Sequence, residues 1–143
     1  RLAKRLCRCK EEYFPDDHEI RSFMTEYANE LKHTTAWQQD YNGEIKKLYA
    51  GFKERYGSNG RMRLYKAVGC DECRGSGYRG RLGLHELLVA DETLKGLIQE
   101  RSRVSTLFTA SVQGGMLTLK MDGMEKALMG LTDMKQVRAV CIK

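Results

Sequence analysis

The 143 residues carry 25 Lys and Arg against 19 Asp and Glu, a formal charge of +6, with 41% apolar side chains. That is enough for one ordinary domain or two small ones with a modest core. No run approaches the roughly 18 consecutive apolar residues of a membrane span, and the basic residues 1–10 have no apolar segment behind them, so no signal peptide is expected; a soluble, cytosolic chain is expected.

In chain order, the sequence opens without an initiator Met and inside what reads as a helix, as an excised piece would. After Pro15, the sole proline, Asp16 or Asp17 offers an N-cap. Ile20, Phe23, Met24, Tyr27, Ala28 and Leu31 then recur at helical spacing over residues 16–32. A second helix is predicted over 35–55, with Trp37, Tyr41, Ile45, Leu48, Tyr49 and Phe52 on its apolar face and Gly57-Ser58-Asn59-Gly60 as its stop. The two should form a hairpin at about residues 16–56. Residues 11–60 carry a net −4, so this hairpin holds the negative charge. Its Trp37 and Tyr41 either pack the hairpin together or serve as docking anchors.

Residues 62–68 alternate as a strand does, residues 70–83 read as a glycine-rich knuckle, and residues 84–89 read as a second short strand. Beyond Ala90 the period turns helical. Asp91 can cap a helix with Leu94, Leu97 and Ile98, and Ser102 another with Val104, Leu107, Phe108 and Val112. After Gly114-Gly115, a third helix carries Leu117, Met121, Met124 and Leu128 and ends at Gly130. Thr132 can cap the last helix, with Val137, Val140 and Cys141 inward. The expected fold class is therefore mainly α with a small β component. Residues 1–83 would form a zinc-knuckle subdomain with the helical hairpin as an insert, and residues 84–143 a compact bundle of short helices.

Five cysteines stand at 7, 9, 70, 73 and 141. An odd count with two tight pairs does not suggest a secreted disulfide framework. Cys70-Asp-Glu-Cys73 opens the string CxxCxGxG, a turn that can present two thiolates to one metal. Cys7-Arg8-Cys9 is the candidate second pair, in a spacing tighter than usual. The basic residues cluster around both pairs, with five cations and no carboxylate over 1–10 and a net +4 over 61–81. Such cations offset the charge of a tetrathiolate metal site and favour the thiolate form. Structural zinc on Cys7, Cys9, Cys70 and Cys73 is the leading reading. A redox pair lacks a surrounding thioredoxin-like pattern, and metal-free packing cysteines are the other alternative. Cys141 reads as a core residue. His18, His33 and His85 form no site, though His18 is the nearest substitute ligand. No phosphate-cradling GxxxxGK[ST] loop occurs, the GSGYRGRLG run reads as a turn, and the chain by itself is not expected to be an enzyme.

From Gly69 onward the sequence resembles the carboxyl-terminal region of the type II secretion and type IV pilus assembly motor ATPases. The pattern GCxxCxxxGYxGRxGxxELL falls on Gly69, Cys70, Cys73, Gly77, Tyr78, Gly80, Arg81, Gly83, Glu86, Leu87 and Leu88. A closing pattern falls on Asp122, Gly123, Lys126, Gly130, Thr132, Val137 and Val140, and RLAKRLCRCKEEY resembles the segment that opens the same region, with CxC in place of CxxC. The resemblance implies a RecA-like hexameric motor with a tetracysteine zinc subdomain and a helical tail. ATP and magnesium would be bound only in the parent protein, upstream of this chain. The implied partners are the other subunits of the motor ring and the inner-membrane platform proteins. The implied location is cytoplasmic, peripheral to the inner membrane through those partners, and the isolated chain would be a monomer or weak dimer.

Two rivals come from other classes. A zinc-ribbon nucleic-acid-binding module would explain the basic segments, but not the acidic hairpin or the thin supply of aromatics for stacking; no nucleic acid is expected. A chaperone-type zinc module shares CxxCxGxG but uses repeated copies, of which this chain has one.

Overall fold

The computed structural model describes residues 1–142; Lys143, the last residue of the expected carboxyl-terminal part, lies outside the described residues. Its elements run β1 (Leu2–Leu6), β2 (Glu11–Tyr13), α1 (Asp17–Ala28), α2 (Thr35–Gln39), α3 (Tyr41–Tyr56), β3 (Leu64–Lys66), β4 (Tyr78–Gly83), α4 (Glu92–Gln99), α5 (Val104–Gln113), α6 (Leu119–Leu128) and α7 (Met134–Val140).

The chain opens as a strand, where the sequence pattern suggested a helix. Leu2, Ala3 and Leu6 fit either period, and the partner that decides lies far along the chain. β1 pairs antiparallel with β4, setting Ala3 opposite Leu82 and Lys4 opposite Arg81, with a register shift between Lys4 and Leu6. β2 pairs antiparallel with β3. The expected second strand over 84–89 is also displaced, because the strand is YRGRLG, within the run read as knuckle and turn. Residues 84–90 have no regular structure. They strap across the start of α6, where the Glu86 carboxylate accepts the Leu119 N–H at 2.7 Å and Asp122 accepts the His85 N–H at 2.8 Å.

Asp16 caps α1 by accepting the Glu19 N–H at 2.8 Å. The helix expected over 35–55 is two helices. Asp40, at φ −150° and ψ 74°, breaks it and caps α3 by accepting the Gly43 N–H at 3.0 Å. A Cβ on Gly43 would lie 2.1 Å from that carboxylate, so glycine there makes room for the cap. Two other expected caps move by one residue. Arg103 precedes α5 without a side-chain bond, in place of Ser102. Asp133 caps α7, because Thr132 is fully buried and its hydroxyl donates instead to the Lys4 carbonyl at 2.9 Å.

One core joins the hairpin to the tail. Phe23, Met24 and Tyr27 of α1, Phe52 of α3, Met62 and Leu64 around β3, Met121, Met124 and Leu128 of α6, and Val137 of α7 all meet there. Each such burial is worth about 1.5–3 kcal/mol. A smaller cluster of Ala3, Leu82 and Leu84 lies under the β1–β4 ribbon against Leu131, Val140 and Cys141. Ile98 and Val104, counted in the apolar patterns of their helices, are 52% and 81% exposed. Trp37 is buried edge-on against Tyr41 with ring centroids 5.3 Å apart, so it packs the hairpin and is not an exposed anchor. The buried Glu125 accepts the Tyr27 and Tyr56 hydroxyls at 3.1 and 3.0 Å. Burial and that carboxylate push both phenols above their ordinary range.

Glu26 of α1 pairs with Arg138 at 3.0 Å and Lys120 at 3.2 Å, tying the hairpin to α7 and α6. Burial opposes ionisation of its carboxyl, but the bonds from Arg138 and Lys120 outweigh it and hold its pKa below the ordinary value. A depressed carboxyl stabilises the fold above the unfolded-state pKa and loses that contribution as pH falls through the folded one. Glu26→Gln should therefore cost about 1 kcal/mol at pH 7 and almost nothing at the acid end. Urea midpoints at pH 7 and pH 3 check this. Among the described residues no helix is long and apolar enough to cross a membrane.

Candidate metal centre

The four expected ligands come from two turns that the two ribbons bring together. The first turn lies between β1 and β2, and the Lys10 N–H closes it on the Cys7 carbonyl at 3.0 Å. The second lies between β3 and β4, where the Gly75 N–H reaches the Cys70 carbonyl at 2.9 Å and the Ser76 N–H the Cys73 carbonyl at 3.1 Å. Since β1 pairs with β4 and β2 with β3, both turns arrive at the same corner. The Cys7 N–H donates to the Gly77 carbonyl at 2.9 Å and joins them directly.

All four Sγ atoms lie within 4.8 Å of one another. Cys7 and Cys70 are 3.7 Å apart, Cys70 and Cys73 3.7 Å, and Cys9 and Cys73 3.9 Å. Four sulfurs at a tetrahedral zinc, each about 2.3 Å from the ion, would stand roughly 3.8 Å apart. The donor set therefore fits a tetrathiolate metal. The CxC spacing is no obstacle, because the two thiols reach different sulfurs of the opposite pair.

Main-chain amides prepare the sulfurs for negative charge. The Cys70 and Gly77 N–H groups donate to Cys73 Sγ at 3.1 and 3.2 Å. Burial alone would raise the Cys73 thiol, yet these amides and the neighbouring thiols bring it down to about 6. At Cys9 the Gly69 amide pulls the other way, but burial and bonds to the three other thiols push its pKa up to about 11. One thiol of the cluster is thus ready to ionise while another holds its proton until a cation arrives. Glu72 accepts from Arg8 at 2.7 Å and from Arg79 at 3.1 Å, clasping the first turn to the second. This exposed bridge and the amide bonds are not legible from residue spacing; the glycines at 69, 75 and 77 are their only sequence trace.

Gly69 sits at φ +118°, and a Cβ there would come within 2.8 Å of the Gly75 carbonyl oxygen, which belongs to the knuckle backbone and cannot swing away. Gly69→Ala is expected to cost about 1–3 kcal/mol and to weaken metal retention. Denaturant unfolding and competition with a chromogenic chelator measure the two effects. His18, His33 and His85 are exposed and stand outside the cluster, and Cys141 is half-buried against the smaller core.

Residues 1–139 match the family pattern described as type II/IV secretion system protein. Over 81 residues, 57% of the chain, it is 41% identical to the type IV pilus assembly ATPase of Thermus thermophilus, covering 9% of that protein. It is 41% identical over 75 residues, 52% of the chain, to type II secretion system protein E of Dickeya dadantii, covering 15%. With the type IV pilus assembly ATPase of Pseudomonas aeruginosa it shares 32% over 93 residues, 65% of the chain and 16% of that protein. The chain thus spans less than a fifth of the length of these relatives.

Proposed function

Because this chain belongs to the type II/IV secretion system protein family, we propose that it is the zinc-binding, carboxyl-terminal part of a motor ATPase that powers type II secretion or type IV pilus assembly. Residues 1–83 carry the metal and residues 84–143 the helical tail. The single observation that supports the metal is the convergence of Cys7, Cys9, Cys70 and Cys73, from two turns some sixty residues apart, to within 4.8 Å of one another.

When bound, zinc supplies cross-linking and not catalysis, since four thiolates leave no coordination position for a water. The chain's own residues do the rest. Cys70, Gly77 and Gly69 direct amides at the sulfurs, and the Arg8–Glu72–Arg79 bridge holds the turns in register. ATP and magnesium are handled by parts of the parent outside this chain. The role here is structural, in a hexameric ring that works at the cytoplasmic face of the inner membrane and contacts its neighbours and the membrane platform. The names borne by the relatives support the motor reading.

Elemental analysis of reductively purified chain tests the proposal. About one zinc per chain is expected, absent from Cys70→Ser. A chain that carries no zinc in either form overturns the metal reading and leaves only the family assignment.

A further inference from the structure

The β1–β4 ribbon has two outer edges, and they are filled to different extents. Arg1 and Leu84 exchange both main-chain bonds, with the Leu84 N–H on the Arg1 carbonyl at 2.7 Å and the Arg1 amino group on the Leu84 carbonyl at 2.9 Å. Odd-numbered residues of β1 therefore face β4, and even-numbered ones face away. On that outer side of β1 the Leu6 N–H donates to the Leu131 carbonyl at 3.0 Å, and the Lys4 carbonyl accepts from Thr132 at 2.9 Å. This edge is closed by the connection between α6 and α7.

The same alternation turns Arg81 and Gly83 outward on β4. The Gly83 carbonyl accepts from Lys126 at 2.8 Å. The Gly83 N–H and both main-chain groups of Arg81 have no partner among the described residues. An open stretch of this kind is a template for another strand.

The side chains at the Arg81 end are cationic, while at the Gly83 end Asp122 is already paired with Lys126. Lys4 stands directly opposite Arg81, an unfavourable like-charge pair in a sheet. Both are exposed, and so is Arg5 beside them. None of the three has an ion-pair partner among the described residues, whereas the neighbouring Arg8 and Arg79 are both taken by Glu72. The His85 ring lies over Gly83, where a Cβ would come within 2.6 Å of Nε2, and Leu2, opposite Gly83, is 56% exposed.

We propose that the open edge of β4 docks an extended acidic segment of a partner protein, which adds to the β1–β4 sheet as a third strand. Main-chain bonds to Arg81 and Gly83 would supply the pairing, and carboxylates beside Lys4 and Arg81 the selectivity. A second copy using its own β4 edge is disfavoured, because it would set Arg81 near Arg81. A nucleic acid would leave the open amide and carbonyl of Arg81 without a matching ladder. The proposal goes beyond the motor assignment and does not rest on it.

The test uses the metal-loaded chain and amide hydrogen exchange. The probes are a blocked peptide alternating Glu and Val, the same peptide with Lys for Glu, and a thymidine oligonucleotide. The Glu–Val peptide is expected to slow exchange at Arg81 and Gly83 about tenfold and to leave Leu82, already paired with Ala3, unchanged. K4E with R81E should abolish the effect while metal content stays the same; where that pair disturbs the fold, K4Q with R81Q serves. Equal protection by the Lys–Val peptide overturns the proposal. So does protection by the oligonucleotide alone, protection that grows with chain concentration without peptide, or peptide binding that leaves Arg81 and Gly83 unprotected.

Discussion

Stripping the proposed zinc from Cys7, Cys9, Cys70 and Cys73 is expected to remove most of the folding stability of the chain. A structural zinc contributes on the order of 10 kcal/mol of apparent folding free energy, and a domain of this kind has about 5–15 kcal/mol in total. The loss should fall unevenly. β1 runs into Cys7, β2 leaves Cys9, β3 leads to Cys70 and β4 leaves Gly77, so a metal held there would pin one end of both ribbons. Ribbons of three to six residues are marginal without such a tie. Exchange protection should vanish first over Leu2–Leu6 and Tyr78–Gly83, while the helices around Met124 keep part of their ellipticity. A melt by circular dichroism with and without chelator provides the measurement, and amide exchange locates the loss. If the chelated and loaded proteins melt within a few degrees of each other, the metal is not structural.

Acid should act in the same direction as the chelator. Metal needs thiolates, so protons compete with it. Cys73, brought down to about 6, is easier to keep ionised than Cys9, pushed up to about 11, which gains more from a bound cation. Release as pH falls below neutrality is the expected course.

Local signals made the helices readable. Asp16 and Asp91 begin α1 and α4 as their spacing suggested, and Met121, Met124 and Leu128 face the core as their period required. The misplaced elements are those whose partner is distant. Nothing near Leu2 says that Leu82 will lie beside Ala3, and the same three apolar residues fit a helix equally well. Thr132 and Asp133 are both good caps in isolation. Only the arrival of the Lys4 carbonyl, 128 residues away, decides that the threonine is buried and the aspartate caps. The break at Asp40 is local but hidden, because an aspartate inside an amphipathic run looks like a solvated residue until Gly43 is seen to make room for it.

The metal corner shows the same division. CxxCxGxG could be read from spacing, and the second turn could be named only as the remaining pair. That a CxC reaches two different sulfurs follows from the two ribbons meeting, which no spacing rule contains. Several residues that carry the family resemblance fasten β4 and the segment after it to the tail helices. Lys126 bridges Asp122 to the Gly83 carbonyl, Glu86 holds the start of α6, and Tyr78 donates to Asp133 at the start of α7. Most of these bonds join parts of the chain more than thirty residues apart, so a motif that looks linear is a set of tertiary clasps.

Phe52→Ala tests whether the hairpin is bound to the tail or merely lies beside it. Phe52 is the one fully buried residue of α3, at 1% exposure, and it meets Tyr27 edge-on at 5.0 Å and Phe23 at 6.4 Å. Tyr27 carries the contact onward, since its hydroxyl reaches Glu125 in α6. Removing the ring leaves a cavity between α1 and α3 and frees the tyrosine that links them to the tail. Truncations of this type cost about 3–5 kcal/mol, whereas Tyr41→Ala, at a residue 38% exposed, removes one partly solvated ring and should cost far less. Denaturant midpoints of the two variants, each with its metal content confirmed, make the comparison. A Phe52→Ala loss below about 1 kcal/mol would mean that the site collapses without penalty, and the hairpin would then be an appendage of the metal corner with no share in the core. A loss in the expected range, with metal content unchanged, makes hairpin and tail one cooperative body.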